Sequence, residues 1–186
     1  MFTESLCRAD PWRTLEEALL GGVDLVQWRE KGGDRHGLDR TLAICSAAGV
    51  PVIVNDFVEL AVTTSAAGAH VGQEDMPAAV ARGLLGKKVL GVSTHTVAQV
   101  LAAQAAGADY VGLGPCFATA TKGYQSGLPR DVLREALAIA RVPVLLIGGI
   151  TPENLPELRS LGDSRIAVAS AILGAPSPRA AARRLA

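Results

Sequence analysis

Three polar side chains alternate at the end of the first apolar run of the sequence, namely Gln27, Arg29 and Lys31. Residues at this spacing point to one side of a strand, so all three can face a single ligand. Arginine offers a planar fork to phosphate oxygens, and lysine offers a point charge. The triplet therefore indicates a phosphate-binding strand end. Considered alone, it fits equally well a salt-bridged surface strand in which Glu30 supplies the counter-charge.

Two carboxylates, Asp56 and Asp75, closely follow later apolar runs. Hard carboxylate oxygens near a phosphate suit Mg²⁺, which keeps water and substrate oxygens among its ligands. Taken together and beside the cations, the two residues favour a magnesium site. Taken one at a time, each is better explained as a helix N-cap, since Asp56 precedes Phe57 and Asp75 precedes Met76-Pro77.

A long polar stretch over residues 114–129 separates a predicted strand from the next predicted helix. Loops of this length inside compact domains are often binding loops. Thr119, Thr121 and Lys122 give this loop two hydroxyls and an ammonium, which could surround an anion.

The pair Gly148-Gly149 follows another apolar run and allows a backbone to approach a phosphate closely. With Ala169-Ser170 it predicts the phosphate site that barrels commonly place near their last two strands. A Gly-Gly pair alone is equally typical of a tight turn.

The segment Ser93-Thr94-His95 adds a hydroxyl and an imidazole to the same set of strand ends. His95 fits two roles, a hydrogen bond at a helix start or acid–base catalysis, and the sequence leaves both open. Cys116 fits a small buried hydrophobe, with a thiol role also open. His36 and His70 have no partner pattern, so no role is predicted for either.

The elements that must position these groups alternate along the chain. Short β-branched apolar runs alternate with Ala/Leu-rich segments of helical period, which is the pattern of βα units around a parallel sheet. The predicted strands are 24–28, 50–55, 69–72, 89–92, 110–114, 142–147 and 165–169. The predicted helices are 11–20, 38–48, 57–63, 77–84, 97–106, 131–140, 152–161 and 178–185, with Thr151 as an N-cap before Pro152.

Seven strands are visible, and an eighth would complete a TIM (β/α)8 barrel, which is the predicted α/β fold. The eighth would have to precede Pro11, where only Met1–Thr3 could begin a strand. We therefore expect a first strand that is very short, or missing because the reading frame starts downstream of the true start. An open doubly wound sheet is the alternative. Both folds bind ligands at the carboxyl ends of their strands, where the polar residues lie.

Composition limits the class of protein. The 186 residues suit one domain over positions 1–186, and the balance of 18 basic with 18 acidic residues argues against a nucleic-acid partner. No apolar run approaches the roughly 20 residues that span a bilayer, and no signal peptide is visible. Three scattered cysteines favour a reducing cytoplasm over a disulfide framework. We expect a cytoplasmic protein that acts on small molecules away from membranes, and a homodimer is left open.

Eight segments carry a family resemblance: Val26–Lys31, Val54–Asp56, Val71–Asp75, Gly91–His95, Gly114-Pro115, Thr119–Lys122, Ile147–Ile150 and Ala167–Ile172. In order and spacing, from Gly21 to Gly174, they resemble the thiamine-phosphate synthase family. The resemblance implies a TIM barrel that joins hydroxymethylpyrimidine diphosphate to hydroxyethylthiazole phosphate, giving thiamine phosphate and pyrophosphate.

The resemblance also implies residue roles. The pyrimidine diphosphate would contact Gln27, Arg29, Lys31, Asn55, Thr119, Thr121 and Lys122. Asp56 and Asp75 would bind Mg²⁺, and Ser93 would help to hold substrate. The thiazole phosphate would bind Gly149, Ala169 and Ser170, largely through backbone N–H groups. Lys122, Ser93 and Arg29 are the residues expected to take part in catalysis.

The charges of this set agree with a diphosphate substrate. Three cations, two aspartates and one Mg²⁺ give about +3, against roughly −2 to −3 for a diphosphate ester. A magnesium requirement follows. The implied mechanism is dissociative, because pyrophosphate departs and the thiazole nitrogen then attacks a pyrimidine-methyl cation. It needs no protein nucleophile, in agreement with the lack of a convincing Ser/His/Asp or Cys/His set.

Four features depart from the family pattern: the reduced first strand, Trp28 in place of an aliphatic residue, Phe57 in place of a polar one, and a short helix at 38–48. Two alternatives are therefore kept. A thiazole tautomerase of the same superfamily would use His95 as its acid or base, and a non-catalytic paralogue would bind thiazole phosphate without turnover. The retained diphosphate set favours the synthase, because a tautomerase has no diphosphate to hold.

Overall fold

A computed structural model describes residues 1–119, 125–162 and 165–186. The strands are β1 (Val26–Trp28), β2 (Val52–Asn55), β3 (Gly68–Val71), β4 (Val89–Thr94), β5 (Tyr110–Leu113), β6 (Val144–Ile147) and β7 (Arg165–Ala167). The helices are α1 (Pro11–Leu20), α2 (Arg35–Ala47), α3 (Val58–Thr63), α4 (Ala78–Leu85), α5 (Val97–Ala105), α6 (Arg130–Ile139), α7 (Leu155–Arg159), α8 (Ser170–Leu173) and α9 (Pro178–Leu185), and a 3₁₀ turn covers Glu4–Leu6.

The seven strands form one parallel sheet in which each strand pairs with the next in sequence, from β1 to β7. A doubly wound sheet would reverse its strand order at a switch point, so that alternative is wrong. Phe2 forms a single parallel bridge with Trp28, and the Met1 amino group donates to the carbonyl oxygen of Val168 (2.8 Å). Residues 1 and 2 thus lie between β7 and β1, and the predicted barrel with a very short first strand is confirmed.

The two faces of the sheet differ in chemistry. Asn55, His70, Gly91 and Tyr110 are aligned across four neighbouring strands, so their side chains share one face. The residues beside them point the other way and join a core cluster with residues of the surrounding helices; they are Val54, Ala69, Leu90 and Val111. Trp28 belongs to this outer cluster and is fully buried. The inner face is therefore the more polar one.

Local capping explains where the helices begin. Helix α1 starts where predicted because the Asp10 carboxylate accepts from the Arg13 N–H. Helix α2 begins earlier than predicted because the Asp34 carboxylate accepts from the N–H groups of His36 and Gly37. The predicted start of this helix at residue 38 was therefore wrong. Within the described ranges, no helix has both the length and the apolarity needed to cross a membrane.

The predicted N-cap at Thr151 was also wrong. Helix α7 begins only at Leu155, because the Asn154 side chain accepts from the Thr151 N–H (2.8 Å) and donates to the Gly149 carbonyl oxygen (2.9 Å). These bonds hold residues 149–154 as a non-helical turn. Helix α8 was not predicted, because its four residues were read as the end of the preceding strand and its connection.

Two cations bind backbone carbonyls at the amino end of β4, opposite to the polar strand ends. The Lys88 ammonium donates to the carbonyl oxygens of Ala61, Thr64 and Ala66 (2.6, 2.7 and 2.9 Å). The Arg82 guanidinium donates to the Asp109 carboxylate (2.9 Å) and to three carbonyl oxygens, those of Gly86, Lys88 and Gly107. These two side chains join three successive αβ connections, those that lead into β3, β4 and β5, at the base of the barrel.

Candidate active site

The three alternating polar residues lie at the carboxyl end of β1. Gln27 is within the strand, Arg29 follows it and is half-buried, and Lys31 is exposed. The Glu30 carboxylate accepts from the Glu4 N–H (2.6 Å). Among the described residues, neither Arg29 nor Lys31 forms a salt bridge, so the salt-bridged surface strand is not what the structure contains.

A strained turn follows β2. Asn55 is buried, and Asp56 adopts the left-handed conformation (φ 67°), the one non-glycine residue of the described ranges with positive φ. Its N–H donates to the carbonyl oxygen of His70 on β3 (2.8 Å). Such a conformation costs a non-glycine residue on the order of 1 kcal/mol, and strained residues concentrate at functional sites.

Asp75 lies one strand further around the barrel. Its carboxylate accepts from the Gly72 N–H (2.7 Å), and the side chain is exposed. Helix α3 has Phe57 at its N-cap and helix α4 has Pro77, neither with a side-chain cap. The N-cap explanation is therefore wrong for both Asp56 and Asp75.

The two carboxylates fit a magnesium site in part. They lie after adjacent strands β2 and β3, and their oxygens are the hard ligands that Mg²⁺ prefers. No group of three or more metal-binding side chains exists among the described residues. Two carboxylates suit an ion whose other ligands are water and phosphate oxygens, which is the common arrangement for Mg²⁺ beside a phosphorylated substrate.

A hydrogen-bonded set of side chains on the inner face was not predicted. The two ring nitrogens of His70 contact the Tyr110 hydroxyl (Nδ1, 2.9 Å) and the Ser93 hydroxyl (Nε2, 2.8 Å). The Gln73 amide donates to the Ser93 carbonyl oxygen (2.6 Å). Ser93 was expected in the pocket, but His70 and Tyr110 were missed. Their partners are on other strands, 23 and 40 residues away for His70, so only the barrel register could have revealed them.

The Gly148-Gly149 pair faces the start of the long loop. Both glycines have positive φ (100° and 64°), and a Cβ on Gly149 would lie 2.4 Å from the Ala118 carbonyl oxygen. The N–H groups of Cys116 and Phe117 donate to the carbonyl oxygens of Ile147 and Gly148 (2.8 and 3.0 Å). The loop is thereby attached along the glycine pair, which brings Thr119 close to Gly149. The predicted residues Thr121 and Lys122 lie outside the described residues.

Ala169 and Ser170 lie level with the glycine pair. Ile147 on β6 pairs with Ala167 on β7, so Gly149 and Ala169 each follow a paired position by two residues. Ser170 is exposed and opens α8, in which the N–H groups of Ile172 and Leu173 bind the Ala169 carbonyl oxygen. The sequence placed these residues in one phosphate site, and the structure places them on neighbouring strand ends.

The structure gives hydrogen bonds for His95 and burial for Cys116, the two residues whose roles were left open. His95 donates from Nδ1 to the Gly114 carbonyl oxygen (2.5 Å), and its N–H donates to the Gln99 side chain at the start of α5 (2.7 Å). Cys116 is buried, and burial raises the pKa of its thiol to about 11. A thiol with that pKa stays protonated near neutral pH and is a poor nucleophile.

Together these features define a parallel βα barrel with phosphate-compatible groups around one end. The profile of the family described as thiamine monophosphate synthase matches residues 2–172, and the chain belongs to this family.

Relatives and solved structures agree with this assignment. The chain is 47% identical to the thiamine-phosphate synthase of Geobacillus kaustophilus (strain HTA426), over 92% of this chain and 82% of that protein. It is 45% identical to the thiamine-phosphate synthase of Synechococcus sp. (strain WH7803), over 92% of this chain and 50% of that longer protein. Its fold is similar to that of thiamine phosphate pyrophosphorylase from Pyrococcus furiosus, with a TM-score of 0.85 and 30% identity over 94% of this chain and 86% of that one.

Proposed function

We propose that this chain is a transferase that joins hydroxymethylpyrimidine diphosphate to hydroxyethylthiazole phosphate, forming thiamine phosphate and releasing pyrophosphate. The observation that carries the proposal is the placement of cations, carboxylates and glycine turns on consecutive strand ends of one parallel sheet. Family membership supports the reaction, since the relatives above are named for it.

The diphosphate end of the site is proposed at β1 and the long loop. Arg29 and Lys31 have no competing carboxylate among the described residues, which leaves both cations available for phosphate oxygens. Thr119, Thr121 and Lys122 are proposed to complete this end from the loop. The contact of the neighbouring Ala118 carbonyl oxygen with Gly149 supports a position for Thr119 between the two proposed phosphate sites.

Asp56 and Asp75 are proposed to hold Mg²⁺ when it is bound. The ion would supply positive charge to the diphosphate and so stabilise it as a leaving group. The left-handed backbone of Asp56 supports this role, because strained residues concentrate at functional sites.

The thiazole phosphate is proposed to bind between the turns after β6 and β7. Gly149 allows the backbone of the long loop to lie against this turn, and Ala169 and Ser170 lie level with it on the next strand. Backbone N–H groups of such turns bind anions without a formal charge. One end of the site would therefore use side chains and the other would use backbone.

The proposed chemistry requires positioning and charge stabilisation rather than a covalent intermediate. Arg29, Lys31 and Lys122 would bind the departing pyrophosphate, while Ser93, Gln27 and Asn55 would orient the pyrimidine. The buried thiols support this mechanism, because burial raises the pKa values of Cys45 and Cys116 to about 11 and leaves neither as a nucleophile. The free state of all three cysteines supports the cytoplasmic location expected from the sequence.

The test is an assay with both substrates and Mg²⁺ that measures thiamine phosphate and pyrophosphate together. Equal amounts of the two products support the proposal. Isomerisation of a carboxylated thiazole phosphate without pyrophosphate release would instead indicate the tautomerase. Tight binding of thiazole phosphate with no product would indicate the non-catalytic paralogue. The His95→Gln variant separates the first two, because a tautomerase should lose its activity while a synthase should keep most of it.

A further inference from the structure

Arg130 has no part in the proposed site, yet its side chain links three elements near the carboxyl ends of β5 and β6. It is the first residue of α6. Its guanidinium carbon lies 4.7 Å from the centre of the Phe117 ring, at the start of the long loop. The same guanidinium forms an ion pair with the Glu157 carboxylate on α7. Two neighbouring helices thus meet the loop through one side chain.

The backbone also holds Phe117 in place. Its N–H donates to the Gly148 carbonyl oxygen (3.0 Å), and a Cβ on Gly149 would lie 2.9 Å from the Phe117 Cβ. The far end of the loop returns to the same place, where the Leu128 N–H donates to the Pro115 carbonyl oxygen (2.7 Å). Phe117 therefore lies where the two ends of the loop meet the glycine pair.

These contacts form a closed path through the proposed thiazole-phosphate turn. The path runs from Gly149 to Phe117 and then through the Arg130 guanidinium to Glu157. Glu157 lies three residues after Asn154, whose side-chain amide donates to the Gly149 carbonyl oxygen (2.9 Å). The turn after β6 and the start of the loop after β5 are therefore tied together twice, once by direct contact and once through two helices.

The burial of Arg130 favours the ring contact. Its side chain is 29% exposed, and Nη1 is buried without a hydrogen-bond partner in the part of the chain that the structure describes. A buried N–H group without a partner costs free energy, so the remaining contacts of the guanidinium must keep it in place. Those contacts are the Phe117 ring and the Glu157 carboxylate, and a cation over an aromatic ring is held more strongly where water is excluded.

We propose that Arg130 is a positioning residue for the reaction. It keeps Phe117 against Gly149, and so fixes the thiazole-phosphate turn relative to Thr119, which follows Phe117 by two residues and is assigned to the diphosphate end. The inference rests on the proposed function, in which two separately bound substrates react only when their reacting atoms are brought together. Arg130 itself is assigned to neither phosphate.

The positioning can be measured without any substrate. In ¹H–¹⁵N correlation spectra, Arg130→Met should shift the backbone N–H signals of Gly149 and Thr119 by more than their line widths, although Arg130 is adjacent to neither in sequence. Methionine keeps much of the length of the side chain and removes the charged planar group. The matched control is Arg134→Met, at an exposed position on the same helix, which should leave both signals unchanged.

Two results of this experiment would overturn the inference: unchanged signals in Arg130→Met, or equal shifts in Arg134→Met. Should Arg130→Met not fold, Glu157→Gln is measured in the same way. It removes only the charge that pairs with the guanidinium, so smaller shifts of the same two signals are expected. Their absence would count against the inference in the same way.

The consequence for the reaction has its own test, in assays with both substrates and Mg²⁺. Arg130→Met should lower kcat about tenfold and change each KM less than twofold, because misplaced substrates still bind but react more slowly. Phe117→Leu should have a similar effect. The double variant should lose little more than either single variant, since the two residues act through one contact. Arg134→Met should keep the wild-type kcat.

A raised KM with unchanged kcat in Arg130→Met would make Arg130 a binding residue and overturn the inference. Losses that multiply in the double variant would overturn it as well, because they would mean that Arg130 and Phe117 act separately. If the wild type forms no thiamine phosphate, the proposed function fails and the role in the reaction fails with it. The spectra of the substrate-free protein then still decide whether Arg130 fixes the position of the turn.

Discussion

The two halves of the strand-end site recognise ligands in different ways. After β1 to β4 the site consists of side chains, among them Arg29, Asp56 and Ser93. After β6 and β7 it consists mainly of backbone, with Gly149 against the Ala118 carbonyl oxygen and Ala169 level with it. A side-chain half can be altered one group at a time. A backbone half depends on the absence of a side chain, so adding atoms there should matter more than removing them.

The largest effect is expected at the proposed metal ligand. Asp56→Asn should lower kcat about a thousandfold, because an amide oxygen binds Mg²⁺ more weakly than a carboxylate and the charge on the leaving group is then less stabilised. Asparagine tolerates the left-handed backbone of Asp56, so the fold should be retained. Pyrophosphate release across a range of Mg²⁺ concentrations measures the loss. The exposed Asp39→Asn is the matched control, and undiminished activity in excess chelator would contradict the role.

A smaller loss should follow removal of one cation from the side-chain half. Arg29→Ala should raise KM for the pyrimidine diphosphate by about 10- to 100-fold, the value of one lost charged contact, and leave KM for the thiazole phosphate unchanged. Steady-state kinetics with each substrate varied in turn provide the measurement. Arg13→Ala, at an exposed position on α1, serves as the control. Equal increases in both KM values would remove the distinction between the halves.

The backbone half can be tested by adding a single methyl group. Gly149→Ala should raise KM for the thiazole phosphate about tenfold and destabilise the fold by more than the ~1 kcal/mol expected for alanine at positive φ, because its Cβ would meet the Ala118 carbonyl oxygen. Gly49 has a similar φ (70°) with open space around it, so Gly49→Ala isolates the backbone contribution. Denaturant unfolding and kinetics of the two variants give the comparison. Identical behaviour would show that the close approach at Gly149 is unimportant.

The smallest effect concerns groups that belong to neither half. Burial is the largest cause that raises the pKa of each of the three cysteine thiols to about 11, so at pH 8 only about a thousandth of each is thiolate. Because the pKa is raised, the thiols stay protonated at neutral pH and ionise only in strong alkali. Treatment with iodoacetamide at pH 8 should leave activity unchanged. Rapid loss of activity with labelling of Cys116 would contradict this assignment.

The sequence predicted the side-chain half better than the rest, for a physical reason. Alternation and charge are local, so Gln27, Arg29 and Lys31 could be assigned to one strand end from their spacing. The βα rhythm and the register of β-branched runs also predicted the barrel. The predicted starts of two helices were wrong because a single side chain decides each of them, Asn154 at α7 and Asp34 at α2.

The interior could not be predicted, because it depends on contacts between strands. His70 has no partner nearby in sequence, and Tyr110 is 40 residues away. The explanation of Asp56 and Asp75 as N-caps failed for a related reason, since neither the left-handed turn at Asp56 nor the bond from Gly72 to Asp75 has a sequence signature. The roles of individual residues towards substrate remain predictions, above all those of Thr121 and Lys122.

The contacts of Arg82 and Lys88 have a consequence for altering this protein. These two side chains anchor three connections with hydrogen bonds to backbone carbonyls and to the Asp109 carboxylate, all at the end remote from the candidate catalytic groups. The hydrogen bonds that stabilise the barrel and the candidate catalytic groups therefore lie at opposite ends of the barrel. Replacing the loops at the carboxyl ends of the strands should change which compounds the protein accepts, while its melting temperature should stay the same.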